Sequence, residues 1–299
     1  MLETLATIFI LIAIGLLARH FRIAGENEYK LLNNVIYNVT LPILLFMSLV
    51  GAGSMAFRNF PLIAANALGI LLMLALIILL CTILRLSRKL TALLLLAAFG
   101  NIVYMGYPVV EGAFGDAAIP ILVVVVTVSN ILLYSLGLAL LQYFSADGKI
   151  NMAHISDHLV KNPLLIGTFA GLIFLATNLS LPAYLASALD SMGHITAPLA
   201  LFSLGIFMYG RNPLANLKLN LAMAGLKMAA FPLLFIAIAK LVGLSGLDYS
   251  VSLVEAAMPL AVVNFILATQ YKLDADIVSS AIVLTTLLSP LSLFVFSSI

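Results

Sequence analysis

The residues that could do chemistry in this chain are a few polar side chains inside long apolar segments. Asn101 stands seven residues before Pro108. Farther along, Glu255 precedes Pro259 by four residues, and Asn264 follows that proline by five. Carboxamide groups hydrogen bond readily to anions, whereas a carboxylate could ligate a hard cation such as sodium or carry a proton. These residue types favour ligand binding and ion coupling over the making and breaking of covalent bonds.

Two of the apolar segments are predicted to contain interrupted helices. The run from Gly100 to Pro108 places two glycines and a proline within nine residues, and Met258-Pro259 lies at the corresponding depth of another segment. Proline has no N–H to donate and clashes with the preceding turn. Backbone groups without partners in hydrocarbon cost several kcal/mol each unless protein, water or a ligand satisfies them. One proline alone is compatible with a simple kink, but two matched interruptions predict a crossing of half-helices that binds solute.

The composition sets the environment of these residues. Of the 299 residues, 64% are hydrophobic and only 9% are charged, against about 25% charged in a soluble domain. The mean hydropathy is +1.20. We therefore predict an all-α membrane protein with ten transmembrane helices, each of about 20 residues. Their expected limits are 4–19, 29–50, 60–83, 91–112, 117–144, 163–178, 182–209, 218–243, 249–270 and 275–298.

The distribution of positive charge sets the expected orientation. If the first loop is cytoplasmic, eleven of the fourteen Lys and Arg side chains fall in cytoplasmic loops, as the positive-inside rule requires. Glu3 precedes the first apolar run and Arg19 follows it, which favours an uncleaved span over a signal peptide. We expect a multi-pass protein of the cell (inner) membrane, embedded in the lipid bilayer, with both termini extracytoplasmic. The net charge of +2 includes no basic block, so no nucleic-acid partner is expected.

The two halves of the chain contain similar short motifs. Residues 40–46 (TLPILLF) recur as residues 196–202 (TAPLALF), and residues 115–119 (GDAAI) resemble residues 273–277 (LDADI). These matches pair the second span with the seventh and the fourth with the ninth. Because five is an odd number, a duplicated five-helix unit enters the bilayer from opposite faces. We predict inverted repeats at 1–144 and 163–299, joined by a cytoplasmic loop at 145–162.

Further polar residues inside the apolar spans allow two interpretations each. Asp190 and His194 are four residues apart on one helix face, where they could exchange a proton or simply hold helices together. Asn130 could line a pocket or form an interhelical hydrogen bond. Lys227 could bind substrate or extend to the membrane surface. Glu111 fits best as a solvated helix cap.

Four short motifs resemble those of the auxin efflux carrier family of membrane transporters. They are Gly100-Asn101 to Pro108, Asn38 to Pro42, Met258-Pro259 to Asn264, and Thr285 to Pro290. The family includes plant auxin exporters and bacterial carriers of malate- or malonate-like anions, and its fold is similar to that of bile acid sodium symporters. The resemblance implies that spans one, two, six and seven form a scaffold, that the other six spans carry the crossing, and that the protein forms a homodimer.

Taken together, the residues and the resemblance predict a secondary active transporter of a small organic anion that works by alternating access. The expected substrate-binding residues, all of them polar residues or prolines within apolar spans, are Asn101, Tyr104, Pro108, Asn130, Pro259 and Asn264. The expected ion-coupling residues are Glu255, Asp190 and His194. The coupling ion could be a proton, or a sodium ion near Glu255 and Asn101, and no other cofactor is expected.

Other function classes lack their sequence signals. No His-Glu-x-x-His motif is present for a metalloprotease, and Gly115-Asp116 lacks the first glycine of the aspartyl intramembrane proteases because Ala113 occupies that position. The single cysteine, Cys81, excludes an intrachain disulfide. No phosphate-binding loop for ATP is present. An enzyme is therefore not expected, and the alternative is an uncoupled uniporter or channel for organic anions.

Overall fold

A computed structural model describes residues 2–52, 59–145, 156–157, 159–177 and 179–297 of the chain. Throughout these ranges the regular secondary structure is helical, apart from an isolated bridge between Gly100 and Leu260. The predicted loop at 145–162 lies largely outside the described residues. The all-helical class is thereby confirmed.

The helices follow one another in chain order. The first seven are α1 (Leu2–His20), α2 (Glu26–Val35, the π-helical turn Ile36–Thr40, and Leu41–Ala52), α3 (Phe60–Ile83), α4 (Arg88–Leu95 and the 3-10 turn Leu96–Ala98), α5 (Gly106–Phe114), α6 (Ile119–Leu132, the π-helical turn Leu133–Gly137, and Leu138–Ser145) and α7 (Pro163–Thr177). The remainder are α8 (Ala183–His194), α9 (Thr196–Met208), α10 (Leu217–Gly225, the π-helical turn Leu226–Ala230, and Phe231–Val242), α11 (Gly246–Ala256), α12 (Val263–Gln270) and α13 (Ala275–Ser297).

Seven helical segments among the described residues are long and apolar enough to cross a membrane. They are Leu2–His20, Glu26–Gly51, Phe60–Ile83, Asp116–Ser145, Ala183–Met208, Leu217–Val242 and Ala275–Ser297. Three further predicted spans correspond to the shorter apolar helix α7 and to two interrupted pairs, α4 with α5 and α11 with α12. A polytopic membrane protein is confirmed, whereas the inverted repeat of ten helices stays a prediction.

The chain forms two compact units, each made of segments from both halves of the sequence. The first unit contains Met1–Phe60, Val103–Thr127 and Val160–Gly210. The second unit contains Pro61–Ile102, Val128–Leu159 and Arg211–Ile299. Accordingly, α1, α2, α5 and α7 to α9 belong to the first unit, and α3, α4 and α10 to α13 belong to the second.

Glycines hold the helices of the first unit close together. Gly15 of α1 meets Gly205 of α9 so closely that a Cβ atom on either residue would overlap a backbone carbonyl of the facing helix. Gly167 of α7 lies against the backbone of Pro42 in α2. In lipid, where apolar side chains gain little by leaving the solvent, such close backbone contact is the main source of helix association.

Prolines account for the wider π-helical turns of α2 and α10. The turn Ile36–Thr40 ends two residues before Pro42, and the turn Leu226–Ala230 ends two residues before Pro232. A proline cannot donate to the carbonyl four residues earlier, so the ladder of hydrogen bonds is disturbed at that point. Single π-helical turns inside α-helices often mark functional sites.

We expect Gly15→Ala to destabilise the first unit, because the added methyl group would meet the carbonyl of Phe202. Overpacking of this kind costs about 1–3 kcal/mol. Gly51→Ala is the matched control, since a Cβ at Gly51 would meet nothing within 4 Å. Melting temperatures of the purified variants in detergent measure the effect, and equal values for the two variants would contradict the proposed packing.

Candidate substrate-binding site at the interrupted helices

Two helices are interrupted where the glycines and prolines predict. The fourth predicted span breaks between Ala98, the last residue of α4, and Gly106, the first residue of α5. The ninth breaks between Ala256, the last residue of α11, and Val263, the first residue of α12. Residues 99–101 and 256–262, all in the second unit, are called the crossing from here on.

The two interrupted segments hydrogen bond to each other through their backbones. The amide of Asn101 donates to the carbonyl oxygen of Pro259 at 2.8 Å, and the amide of Ala261 donates to the carbonyl oxygen of Phe99 at 3.0 Å. These bonds flank the antiparallel bridge between Gly100 and Leu260. Each break therefore supplies partners for backbone groups that the other break has freed.

Hydroxyl groups of α13 satisfy further backbone groups of the crossing. The hydroxyl of Thr285 accepts a hydrogen bond from the amide of Leu260 at 3.2 Å. The hydroxyl of Ser292 donates to the carbonyl oxygen of Ala257 at 3.1 Å. The backbone of the break is thus stabilised by the protein itself, which leaves side chains rather than backbone as the groups open to a ligand.

Asn264 joins α12 to the end of α4. Its amide nitrogen Nδ2 donates to the carbonyl oxygens of Leu96 at 3.0 Å and Phe99 at 3.1 Å. Because carbonyl oxygens only accept, these bonds fix which side of the amide faces α4. Within the described ranges, its Oδ1 atom is buried and has no hydrogen-bond partner.

Two buried carboxamide groups of the second unit have donors without a protein acceptor. Asn101 and Asn130 are each 4% exposed, and in the part of the chain that the structure describes their Nδ2 atoms have no hydrogen-bond partner. Asn130 precedes Tyr134 by one helical turn, and the Tyr134 ring packs at 6.3 Å from that of Phe99 in the crossing. The face of α6 that carries Asn130 therefore contacts the crossing.

Lys227 lies at the crossing, where its sequence position gave no clear indication of its role. Its side chain is 1% exposed, and its Nζ donates to the carbonyl oxygen of Ala256 at 2.8 Å. A Cβ atom on Gly100 would lie 2.5 Å from the Cε atom of this lysine, so any other residue there would force the end of the lysine side chain to shift. The interpretation that Lys227 extends to the membrane surface is wrong, because a backbone carbonyl inside the protein holds its ammonium group.

Glu255 is also buried, as a residue that couples an ion would be. It is 2% exposed, and neither carboxylate oxygen has a hydrogen-bond partner among the residues that the structure places. Glu255 directly precedes Ala256, whose carbonyl oxygen accepts the hydrogen bond from Lys227. One acidic and one basic side chain are therefore buried beside the crossing, in a medium of low polarity where opposite charges attract strongly.

Tyr104 belongs to the first unit. Its hydroxyl donates to the Oδ1 atom of Asn33 in α2 at 3.4 Å. Two other predicted site residues of this unit, Pro108 and His194, line a cavity of about 440 Å³ together with Glu111. Their roles in binding stay predictions.

Asp190 and His194 lie together on α8, as their spacing predicts. The Nδ1 atom of His194 is 3.4 Å from the Oδ1 atom of Asp190, and 2.8 Å from the carbonyl oxygen of the same residue. Their side chains are 57% and 66% exposed, respectively. This pair is therefore much less enclosed than Glu255.

Comparison with known proteins identifies a membrane transport protein. The sequence family described as "Membrane transport protein" matches residues 1–297. An uncharacterised transporter of Methanothermobacter thermautotrophicus is 31% identical over 302 residues, which cover 99% of this chain and 97% of the relative. An uncharacterised transporter of Methanocaldococcus jannaschii is 24% identical over 301 residues, which cover 96% of this chain and 95% of the relative.

Plant proteins are also similar to part of the chain. Auxin efflux carrier component 1 of Arabidopsis thaliana is 29% identical over 147 residues, which cover 46% of this chain and 23% of the plant protein. The chain belongs to the auxin efflux carrier family of membrane transporters. The family membership expected from the four short motifs is confirmed.

We expect Gly100→Ala to lower stability, because the new methyl group would overlap the Lys227 side chain. Overpacking costs about 1–3 kcal/mol, and the cost should largely vanish in the double variant with Lys227→Ala, which removes the obstructing side chain. Gly225→Ala, two residues before Lys227 in α10, is the control, since nothing lies within 4 Å of a Cβ at that position. Denaturation midpoints of the four proteins complete the cycle. Strictly additive effects would refute the contact.

Proposed function

We propose that the protein is a secondary active transporter of a small organic anion, a carboxylate, which binds at the crossing. The observation that carries the proposal is the pair of buried, unpartnered amide donors on Asn101 and Asn130. A buried donor without an acceptor costs about 1–3 kcal/mol. A carboxylate that accepts hydrogen bonds from both groups would remove this cost at the moment of binding.

Dipoles rather than a net charge would hold the anion. One buried basic side chain, Lys227, and one buried acidic side chain, Glu255, lie beside the crossing, so in this proposal no excess of positive charge binds an anion too tightly to release it. The amino end of α12 lies at the crossing, and the aligned peptide dipoles of this helix favour an anion there. Hydrogen bonds from neutral amides to a charged carboxylate contribute about 1.5–3 kcal/mol each, enough for selective but reversible binding.

The Oδ1 atom of Asn264 supports a narrower substrate class. It is a buried acceptor without a donor among the described residues. A hydroxyl or N–H group next to the carboxylate of the substrate would supply that donor. Malate-like hydroxy acids have this arrangement. Relatives of this chain are named auxin efflux carriers, but an auxin-like indole acid carries its N–H across the ring from the carboxylate-bearing side chain.

Alternating access would move one group of helices against another. The division into two units supports the assignment of scaffold helices, because α1, α2, α7, α8 and α9 all fall in the first unit. They correspond to the predicted spans one, two, six and seven. In this proposal they form the homodimer contact in the cell membrane, the repeats 1–144 and 163–299 are inverted, and both termini are extracytoplasmic. Pro108 and Pro259 keep the helices open.

Replacing an amide donor should weaken substrate binding without unfolding the protein. We expect Asn101→Ala and Asn130→Ala each to raise the KM for the transported carboxylate by about tenfold or more, which corresponds to loss of one charged hydrogen bond. Uptake into proteoliposomes of malate, malonate and indole acetate, each under separate sodium and proton gradients, identifies the substrate and the driving ion.

Asn66→Ala is the matched control for this experiment. Asn66 is equally buried, but its amide already donates to Leu62 and to the hydroxyl of Ser252 at 3.0 Å. Its replacement should lower the melting temperature more than the affinity. Unchanged KM values in both Asn101→Ala and Asn130→Ala would refute the binding site. Uptake that does not saturate and shows no counterflow would instead favour the channel.

A further inference from the structure

The position of Lys227 follows from a proline in the same helix. Pro232 cannot donate to the carbonyl of Met228. The hydroxyl of Ser292 lies 3.3 Å from that oxygen and shares its one proton between it and the carbonyl oxygen of Ala257. The turn Leu226–Ala230 widens to a π-helical form at this point. Lys227 therefore lies in a distorted helical turn that a side chain of α13 stabilises. Distorted turns of this kind often occur at functional sites.

Three groups surround the ammonium group of Lys227. The carbonyl oxygen of Ala256, at the carboxyl end of α11, accepts a hydrogen bond from it at 2.8 Å. The ring centroid of Phe231 lies 4.5 Å from its nitrogen, within the range of a cation–π interaction. The bare Cα atom of Gly100 allows the lysine to come this close.

The carboxylate of Glu255 completes this environment. It directly precedes Ala256, the residue whose carbonyl oxygen Lys227 binds, and neither of its oxygens has a hydrogen-bond partner in the described residues. An ionised carboxylate that is buried without a compensating charge would be strongly destabilising. Since the carboxyl end of a helix also carries about half a negative charge, this location favours a cation.

Carbonyl and carboxylate oxygens are the ligands that hard metal cations take in proteins. By residue type, either a sodium ion or a proton could bind at Glu255. The structure instead places an ammonium group on the carbonyl oxygen of Ala256, where such an ion would need its ligand. We propose that Lys227 is a tethered cation that replaces a coupling sodium ion at the crossing, so that this protein neither binds sodium there nor uses a sodium gradient.

A tethered cation has a simple consequence for the transport cycle. Lys227 stays with the protein, so it compensates the charge of Glu255 whether or not substrate is bound. A sodium gradient then has no site at the crossing through which to act. This consequence for transport rests on the proposed function, whereas the statement about cation binding does not.

Sodium binding is measured first on the purified protein, without any substrate. Melting temperatures are compared in sodium chloride and choline chloride at equal ionic strength. We expect no difference for the wild type. Lys227→Ala opens the carbonyl of Ala256 and the carboxylate of Glu255, so it should gain a sodium-specific, saturable stabilisation of several degrees, as binding to the folded state requires.

Matched variants separate this gain from general effects of the substitution. Lys227→Gln keeps a donor for the carbonyl of Ala256 but loses the charge, so sodium should stabilise it through Glu255 alone, and less than it stabilises Lys227→Ala. The double variant Lys227→Ala/Glu255→Gln should lose the response, because the carboxylate ligand is gone. Lys240→Ala, which removes an exposed lysine from the same helix, should behave as the wild type.

Transport by the same proteins gives the second readout. In proteoliposomes, uptake by the wild type should be equal with and without a sodium gradient, and uptake by Lys227→Ala should rise about tenfold with sodium, equivalent to about 1.4 kcal/mol of coupling.

Several results would overturn the proposal. Sodium-specific stabilisation of the wild type would do so by itself, and this measurement does not depend on whether any variant folds. Folded Lys227→Ala and Lys227→Gln proteins that ignore sodium would do so as well. If sodium behaves as expected in the binding experiment but no carboxylate is transported, the proposed function fails while the tethered cation stands.

Discussion

One constraint governs this structure: in a medium without water, every backbone amide and carbonyl needs a hydrogen-bond partner within the protein. A helix meets that need within its own segment, and an interruption gives up several of those bonds at once. At the crossing, each interrupted segment becomes the partner of the other: the amide of Asn101 reaches Pro259, and the amide of Ala261 reaches Phe99. Neither break would be stable alone, so the two must form together.

Side chains of neighbouring helices provide hydrogen-bond partners for further backbone groups of the two breaks. Thr285 and Ser292 of α13 satisfy one amide and one carbonyl, and Lys227 of α10 satisfies the carbonyl at the end of α11. In the described residues, the buried side-chain atoms here without a hydrogen-bond partner include Nδ2 of Asn101, Oδ1 of Asn264 and the carboxylate oxygens of Glu255. In the proposed function, a ligand could bind to these side chains and leave them while the paired backbone stays paired.

Different interactions hold the helices together in the two units. In the first, glycines such as Gly15 and Gly205 allow backbones to touch, and the resulting van der Waals contact has one good arrangement. In the second, buried polar groups hold helices together, as Asn66 does with Ser252 and Asn220 with Ser280. Hydrogen bonds can exchange partners at similar energy. In the proposed alternating access, helices held by polar side chains would be suited to move, and helices held by glycine contacts would be suited to stay in place.

Much of the helical structure could be predicted from the chemistry of individual residues. Hydropathy identified the helices of a membrane protein, since burial in lipid depends on residue type alone. Gly100, Pro108 and Pro259 located the breaks, because a missing N–H is a property of the residue itself. The four motifs identified the family. Glu255 and Asn264 were expected at the site; they lie on either side of the segment 256–262 of the crossing, and their roles stay predictions.

The partners were decided by the tertiary structure alone. Asn264 hydrogen bonds to residues more than 160 positions away in the sequence, and Lys227 to a residue 29 positions away. Neither contact follows the spacing of a helix or strand, so neither could be predicted from a sequence pattern. The internal repeat gave no help with Lys227, since an offset of 156 pairs it with apolar Leu71. The position of a helix break can be predicted from sequence, because it depends on the atoms of a single residue such as proline. The group that hydrogen bonds to the freed backbone must lie within about 3 Å of it, and only the folding of the chain determines which group that is.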